Sequence, residues 1–168
     1  GYKRNIDVVQ SKFDKMLPLS ADNLNTDSHN DHSQNVDDLF ANSYWNIVME
    51  TYLDATCGVF VTEKTFKPIK YGQPFVILGT TNSLQYLREQ GYKTYSPWID
   101  ETYDQEKDIR QRWLAVWDIT KQIADQPMEK LHKKHIEQTS TILHNQIWFV
   151  RNKKKELSVA ISKILAVD

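Results

Sequence analysis

Pro74-Phe75-Val76-Ile77-Leu78-Gly79 is the stretch on which the fold turns. It is short and almost wholly apolar, entered through Gly72-Gln73 and left through Thr80-Thr81-Asn82. Such a run suits a strand covered on both faces, the situation of strands in parallel sheets. Upstream, Tyr44 to Leu53 is dense in aromatic and β-branched residues and reads as a second buried strand. Thr62 to Tyr71 reads as a helix between the two. Asn82 to Gln90 follows as another, with Leu84, Tyr86 and Leu87 on one side and Gly91 as its stop. Tyr92-Lys93-Thr94-Tyr95 then looks like a third strand. Strand, helix, strand, helix, strand is the pattern of a right-handed parallel α/β unit. The expected class is therefore α/β, with a small three-layer, Rossmann-like parallel sheet of about three to four strands.

The chain breakers divide the sequence further. All the glycines lie at or before Gly91, and Pro127 alone among the prolines follows Pro97. Turns need such residues and long helices exclude them, so residues 44–100 should hold the sheet and 104–166 a helical region. Asp104 is the expected N-cap of a first C-terminal helix, whose stripe runs through Ile109, Trp113, Val116 or Trp117, Thr120 and Ile123. Pro127 suits the first turn of a second helix carrying Met128, Leu131, His135, Ile142 and Leu143. Val150, Leu157, Ala160, Ile161, Ile164 and Leu165 mark a last one, continuous with the second or separate from it. At the other end, Ile6, Val9, Phe13 and Leu17 recur at helical spacing between Asn5 and Pro18. Residues 20–43, rich in Asp, Asn, Ser and His, read as a long loop.

A chain of 168 residues can bury one sizeable core, so a single domain over residues 1–168 is expected. The apolar fraction of 40% and charged fraction of 26% are those of a globular protein. No apolar run approaches the roughly 18 to 20 residues that cross a bilayer, so no membrane partner is expected. The opening Gly1-Tyr2-Lys3-Arg4-Asn5 has no apolar signal core, and its leading Gly points to a cloning remnant or an excised fragment. With one cysteine, Cys57, an internal disulfide is impossible, and a cytoplasmic setting is the simpler expectation. Cys57 itself reads as a small buried hydrophobe. His29, Asp31 and His32 fit no standard zinc spacing, so no metal site is expected there. A net charge of −1 steers the chain toward neither nucleic acid nor anionic lipid. The lysines around Lys133 and Lys153 lack aromatic interleaving and read as solvated helix faces.

Chemistry is concentrated at Phe60-Val61-Thr62-Glu63-Lys64-Thr65-Phe66-Lys67-Pro68. Thr62 falls at a helix N-cap, where backbone amides helped by Lys64 and Lys67 would attract an anion. Glu63 beside them would accept hydrogen bonds from sugar hydroxyls. The same residues equally make a capped, charged first turn on a surface helix. Pro68, some six residues in, should kink that helix. Glu50 sits in an otherwise apolar strand, so it must be paired, placed at the sheet end or kept neutral. Ligands of parallel sheets bind beyond the carboxyl edge, which places Glu50 and Thr51 beside Glu63.

Thr62-Glu63-Lys64-Thr65-Phe66-Lys67-Pro68-Ile69, then Gln73 to Gly79, Tyr86-Leu87-Arg88, Gly91 to Tyr95 and Asp100-Glu101-Thr102-Tyr103-Asp104, resembles glycosyltransferase-like proteins of marine phages and bacteria. The resemblance covers roughly Ser43 to Arg112. It is similar, more distantly, to the donor-binding half of fucosyltransferase-type enzymes with two Rossmann-like domains. It implies that Glu63 contacts the ribose or the sugar, that Lys64 contacts the diphosphate and that Thr62 caps the helix. It further implies sugar transfer by direct displacement at the anomeric carbon, with lysines and the helix dipole neutralising the leaving diphosphate in place of a metal. The nucleoside-diphosphate sugar is then a substrate, and no cofactor is implied. Enzymes of this architecture carry the acceptor site and base in a preceding domain, so the resemblance implies half an active site completed by an N-terminal domain. No catalytic residue is assigned.

A second set is Asp100, Glu101 and Tyr103 with Trp98. Three carboxylates within Asp100 to Asp104 invite an acid–base reading, although capping and the negative first turn of a helix explain them as well. Arg112 would be their natural ionic partner. Trp98, next to Pro97, is the expected exposed stacking platform, whereas Trp113 and Trp117 belong to the core. The rival expectation is an α/β binding or assembly module that keeps the fold without transferase chemistry.

Overall fold

The computed structural model describes residues 37–54 and 58–165. The chain separates into two compact units, Gly1–Leu39 and Phe40–Asp168, and almost all of the described residues belong to the second. The expected helix from Ile6 to Leu17, the residues His29, Asp31 and His32, and Cys57 lie outside the described residues.

In chain order the described elements are α1 (Asp37–Ala41), β1 (Asn46–Met49), α2 (Glu63–Tyr71), β2 (Phe75–Leu78) and α3 (Ser83–Glu89). A 3-10 turn (Thr102–Gln105), α4 (Ile109–Ala124), α5 (Met128–Glu137) and α6 (Thr139–Leu165) complete them. The protein is α/β with a small parallel sheet and helices toward the C-terminus. The end of the stretch expected to be loop, residues 37–41, is the short helix α1.

β1 and β2 pair in parallel, with Asn46 opposite Phe75 and Met49 opposite Leu78. Every β2 residue is buried, as its unbroken apolar run requires. At about 1.5–3 kcal/mol per fully buried large apolar side chain, these four residues anchor the core with Ile69, Leu84, Leu87, Val116 and Ile142. β1 is shorter and less buried than Tyr44 to Leu53 suggests. Val48 is enclosed, while Ile47 and Met49 are exposed.

Among the described residues the sheet has two strands, not three or four. Tyr92 to Tyr95 does not form a third because side chains take its backbone groups. Asn145 of α6 accepts from the Lys93 amide at 2.8 Å and donates to the Lys93 carbonyl at 2.9 Å. Glu101 accepts from the Tyr95 amide at 2.6 Å. β2 meets a side chain in the same way, since the Ile77 amide donates to the Tyr103 hydroxyl at 3.2 Å.

Both sheet helices end alike. Gly72 (φ 72°) and Gly91 (φ 88°) adopt the left-handed conformation that an L side chain resists. Their amides return to Ile69 and Arg88, and those of Gln73 and Tyr92 to Pro68 and Leu87, which satisfies the last carbonyls of each helix. α2 runs through Pro68, which is buried.

α4 is capped by Asp108, whose side chain accepts from the Gln111 amide at 3.0 Å, and not by Asp104. Its inward stripe is Arg112, Val116, Ile119 and Ile123. Trp113 is therefore turned outward, stacked on Trp117 at 5.9 Å and 4°, and the pair is not core. The last two helices break at Gln138, so Ile142 and Leu143 belong to α6 with Val150. The side chains of Leu157 and of the residues from Val159 on lie outside the described residues.

Candidate functional site

Thr62 caps α2, as its position predicts, accepting from the Lys64 amide at 3.3 Å. What holds Thr62 in place is Glu50, immediately beyond β1. One Glu50 oxygen accepts from the Thr62 amide at 2.9 Å and from the Thr65 hydroxyl at 2.7 Å, and the other accepts from the Thr62 hydroxyl at 2.6 Å. Glu50 is 5% exposed. A buried carboxylate is tolerable only when fully hydrogen-bonded, and this one is satisfied inside the protein.

The start of α3 is closed in the same manner. Asn82, in the left-handed conformation at φ 63°, makes no side-chain cap. Asp104 replaces it from the 3-10 turn, accepting from the amides of Leu84 at 2.9 Å and Gln85 at 3.0 Å. Buried Thr80 and Ser83 fill the space between, with Phe60 donating its amide to Thr80 at 3.0 Å. A Cβ on Gly79 would stand 3.1 Å from the Ser83 hydroxyl and 3.4 Å from the Glu50 side chain. Among the described residues, the side chains of Glu50, Thr80, Ser83 and Asp104 thus occupy the carboxyl edge of the sheet.

The exposed face of α2 is different. Val61 and Thr62, just ahead of α2, and Glu63, Phe66, Lys67 and Lys70 within it line a cleft of about 350 Å³, closed on the other side by Phe149 and Lys153 of α6. The Phe66 and Phe149 rings stack at 5.9 Å and form an apolar floor. Lys153 lies 6.0 Å over the Phe149 ring and pairs with Glu156 at 2.7 Å. Lys67, Lys70 and Lys153 stand on the rim with Glu63; Lys153 is already paired with Glu156 and Lys70 lies 4.7 Å over the Tyr71 ring, so the rim keeps a small positive excess. Lys64 turns to Thr51, donating to its hydroxyl at 3.1 Å, and comes within 3.8 Å of Glu63. Of the six residues expected to meet a donor, the structure brings Thr62, Glu63 and Lys67 to one cleft, pairs Lys64 with Thr51 beside it, and buries Glu50.

The second set is a structural network. Asp100 accepts from the Thr102 amide at 2.9 Å, and that hydrogen bond holds its carboxyl below the usual range. Glu101 accepts from Tyr95, from the Thr94 hydroxyl at 2.8 Å and from Arg88 at 3.0 Å. Burial pushes the Glu101 and Asp104 carboxyls up. The Tyr103 hydroxyl is buried against Ile77, and that burial raises its pKa above the ordinary phenol value. Arg112 is buried and donates to the carbonyls of Leu53 and Glu106, so it ties loops together in place of pairing with a carboxylate. Trp98 is no exposed platform, because it packs edge-on against Trp45 at 4.6 Å with Lys134 5.7 Å above it.

Val61, Phe66, Lys70, Phe149 and Lys153 are the cleft residues that sequence reasoning did not assign. Their spacing was a usable signal, since Phe66 and Lys70, like Phe149 and Lys153, stand four apart on one helix face. Among the described residues no three His, Cys, Asp or Glu side chains come together to hold a metal ion. No described helix is long and apolar enough to cross a membrane. No protein-family model matches the chain, and neither does any curated protein or solved structure.

Proposed function

We propose that this chain is a nucleotide-sugar-binding, glycosyltransferase-like domain that supplies the donor half of a site. The observation that carries the reading is the α2–α6 cleft, where Lys67, Lys70 and Lys153 surround a floor of Phe66 and Phe149. Ammonium groups neutralise a diphosphate and an aromatic floor accepts a base, while Glu63 at the rim accepts sugar hydroxyls. In this reading the phosphates meet side-chain cations and not the helix amides, because Glu50 already engages Thr62 at that terminus. The acceptor and the base come from another domain.

Calorimetry with uridine, guanosine and cytidine diphosphates tests it. At least one should bind, and Lys67→Ala and Lys153→Ala should each weaken binding about tenfold, the usual order for a lost charge-assisted contact. No heat with any of the three, or binding indifferent to both substitutions, overturns the reading.

The second reading, an α/β binding or assembly module without transferase activity, is favoured by the filled carboxyl edge. Glu50 and Asp104 hold the two helix starts where a parallel sheet would otherwise receive its ligand. It predicts a calorimetric blank from a fully folded chain.

A further inference from the structure

β1 has one hydrogen-bonded edge and one open edge. The amides of Asn46 and Glu50 donate to the carbonyls of Pro74 and Leu78 at 2.9 Å, so the even-numbered residues of this segment turn their backbone groups toward β2. Alternation along the strand turns the amides and carbonyls of Ile47 and Met49 the other way. Among the described residues nothing pairs with these four groups. The outer edge of β2 is met by a side chain, the Tyr103 hydroxyl on the Ile77 amide. β1 has no such cover among the described residues.

The side chains repeat the asymmetry. Partners in a parallel pair point to the same face, so Ile47 lies beside Val76 and Met49 beside Leu78. Val76 and Leu78 are buried, whereas Ile47 is 43% and Met49 59% exposed. The apolar cover of that face therefore stops at β2. Proteins blunt an open edge with Lys, Pro or a bulge. Asn46-Ile47-Val48-Met49 has neither Lys nor Pro, and its register against β2 is unbroken.

We infer that β1 pairs antiparallel with β1 of a second copy of this chain, about a two-fold axis at Val48, joining two two-stranded sheets into one of four strands. A second copy is the occupant because the edge is complementary to itself. With Val48 opposite Val48 of the copy, Ile47 faces Met49 of the copy on both sides of the axis. Each such pair exchanges both amide-to-carbonyl bonds, so every open group on either chain is satisfied. A register shifted by two sets Ile47 against Ile47, or Met49 against Met49, and leaves the other residue beyond the end of the opposing strand. No charge meets a like charge, since the strand carries none and the Glu50 carboxylate is turned into its own chain. On the exposed face Ile47 and Met49 of the two copies cover one another. The inference does not depend on the nucleotide-sugar reading.

Sedimentation equilibrium of the full chain, with hydrogen exchange read at single amides at low and high concentration, tests it. A reversible dimer should form by about 100 µM, and the Ile47 and Met49 amides should exchange more slowly as it fills. A chain still monomeric at about 1 mM overturns the inference, as does a dimer whose Ile47 and Met49 amides exchange as fast as in the monomer. Protection of those amides that is independent of concentration overturns it too, because the same chain then covers its own edge. Two double variants at these exposed positions check the register. Ile47→Lys with Met49→Lys sets like charges opposite one another twice across the axis, whereas Ile47→Lys with Met49→Glu sets opposite charges there. The second should associate about tenfold more tightly than the first. Equal association of the two overturns the pairing about Val48.

Discussion

Glu50 grips Thr62 with both carboxylate oxygens, one on its amide at 2.9 Å and the other on its hydroxyl at 2.6 Å. The carboxylate that closes β1 therefore also fixes where α2 begins, and with it the direction in which Lys67 and Lys70 project. Affinity at the cleft and stability at the sheet edge rest on different residues, which makes them separable by substitution.

Glu50→Ala removes the acceptor for the Thr62 amide and for the hydroxyls of Thr62 and Thr65. Stranding buried donors costs about 1–3 kcal/mol each at most, and partial rehydration reduces the sum. The expected loss is about 2–4 kcal/mol, read as a lower urea midpoint at unchanged slope. Were Glu50 a ligand contact instead, stability would hold and only binding would fall.

Asp104→Asn probes the other helix start through pH. Burial raises the folded pKa of Asp104 above its ordinary value of about 3.9. A raised carboxyl binds its proton more tightly in the folded chain than in the unfolded one. The stability this adds is complete below about pH 4 and is lost as pH rises through the raised folded value. Asn does not titrate. The stability gap between wild type and Asp104→Asn, from urea midpoints, should therefore be largest in acid and narrow toward neutrality. A gap that widens with pH would mean that hydrogen bonds from Leu84 and Gln85 outweigh desolvation.

These side-chain devices mark the limit of what the sequence discloses. The run Phe75 to Leu78 and the caps Thr62 and Gly91 act through local backbone physics, so periodicity and residue type reveal them; Gly72, read only as the turn before the strand, closes α2 in the same way. Asp104 shows the opposite case. Four residues from Asp108, it has the composition of a cap for α4 yet serves α3, twenty residues upstream. Only packing distinguishes the two. Lys93 is similar, since its strand-like neighbours suit a third strand, but its partner is a side chain fifty-two residues away. The candidate site divides along the same line. Thr62, Glu63 and Lys67 are legible on one helix, whereas Phe149 and Lys153 reach the cleft only because α6 packs against α2.

Asn145 is 1% exposed and serves Lys93 as a strand would, accepting from its amide and donating to its carbonyl. Asn145→Leu keeps the approximate volume and abolishes both bonds, leaving one backbone donor and one acceptor without a partner. The expected cost is about 2–4 kcal/mol. Asn145→Asp keeps the acceptor for the Lys93 amide; protonated in acid it can also donate to the Lys93 carbonyl and should approach wild type, whereas ionised it sets a carboxylate oxygen against that carbonyl and should lose stability as pH rises. Amide exchange at Lys93 should quicken in both variants, and exchange as slow as wild type in Asn145→Leu would show that the residue only fills space.

Glu156 tests the proposed donor role of the α2–α6 cleft from outside it. Its ion pair with Lys153 is short, at 2.7 Å, but both side chains are more than half exposed. Surface pairs of this kind contribute about 0–1 kcal/mol, so Glu156→Gln should leave the urea midpoint nearly unchanged. The same substitution releases Lys153 from its carboxylate and raises the positive potential over the Phe149 ring. A nucleoside diphosphate in the cleft should then bind a few-fold more tightly, with the gain shrinking as salt screens it. Lys153→Ala on the Glu156→Gln background should cancel the gain, since the two substitutions act through one ammonium group. A gain that survives removal of Lys153 would place the phosphate elsewhere on the rim, against Lys67 and Lys70 alone.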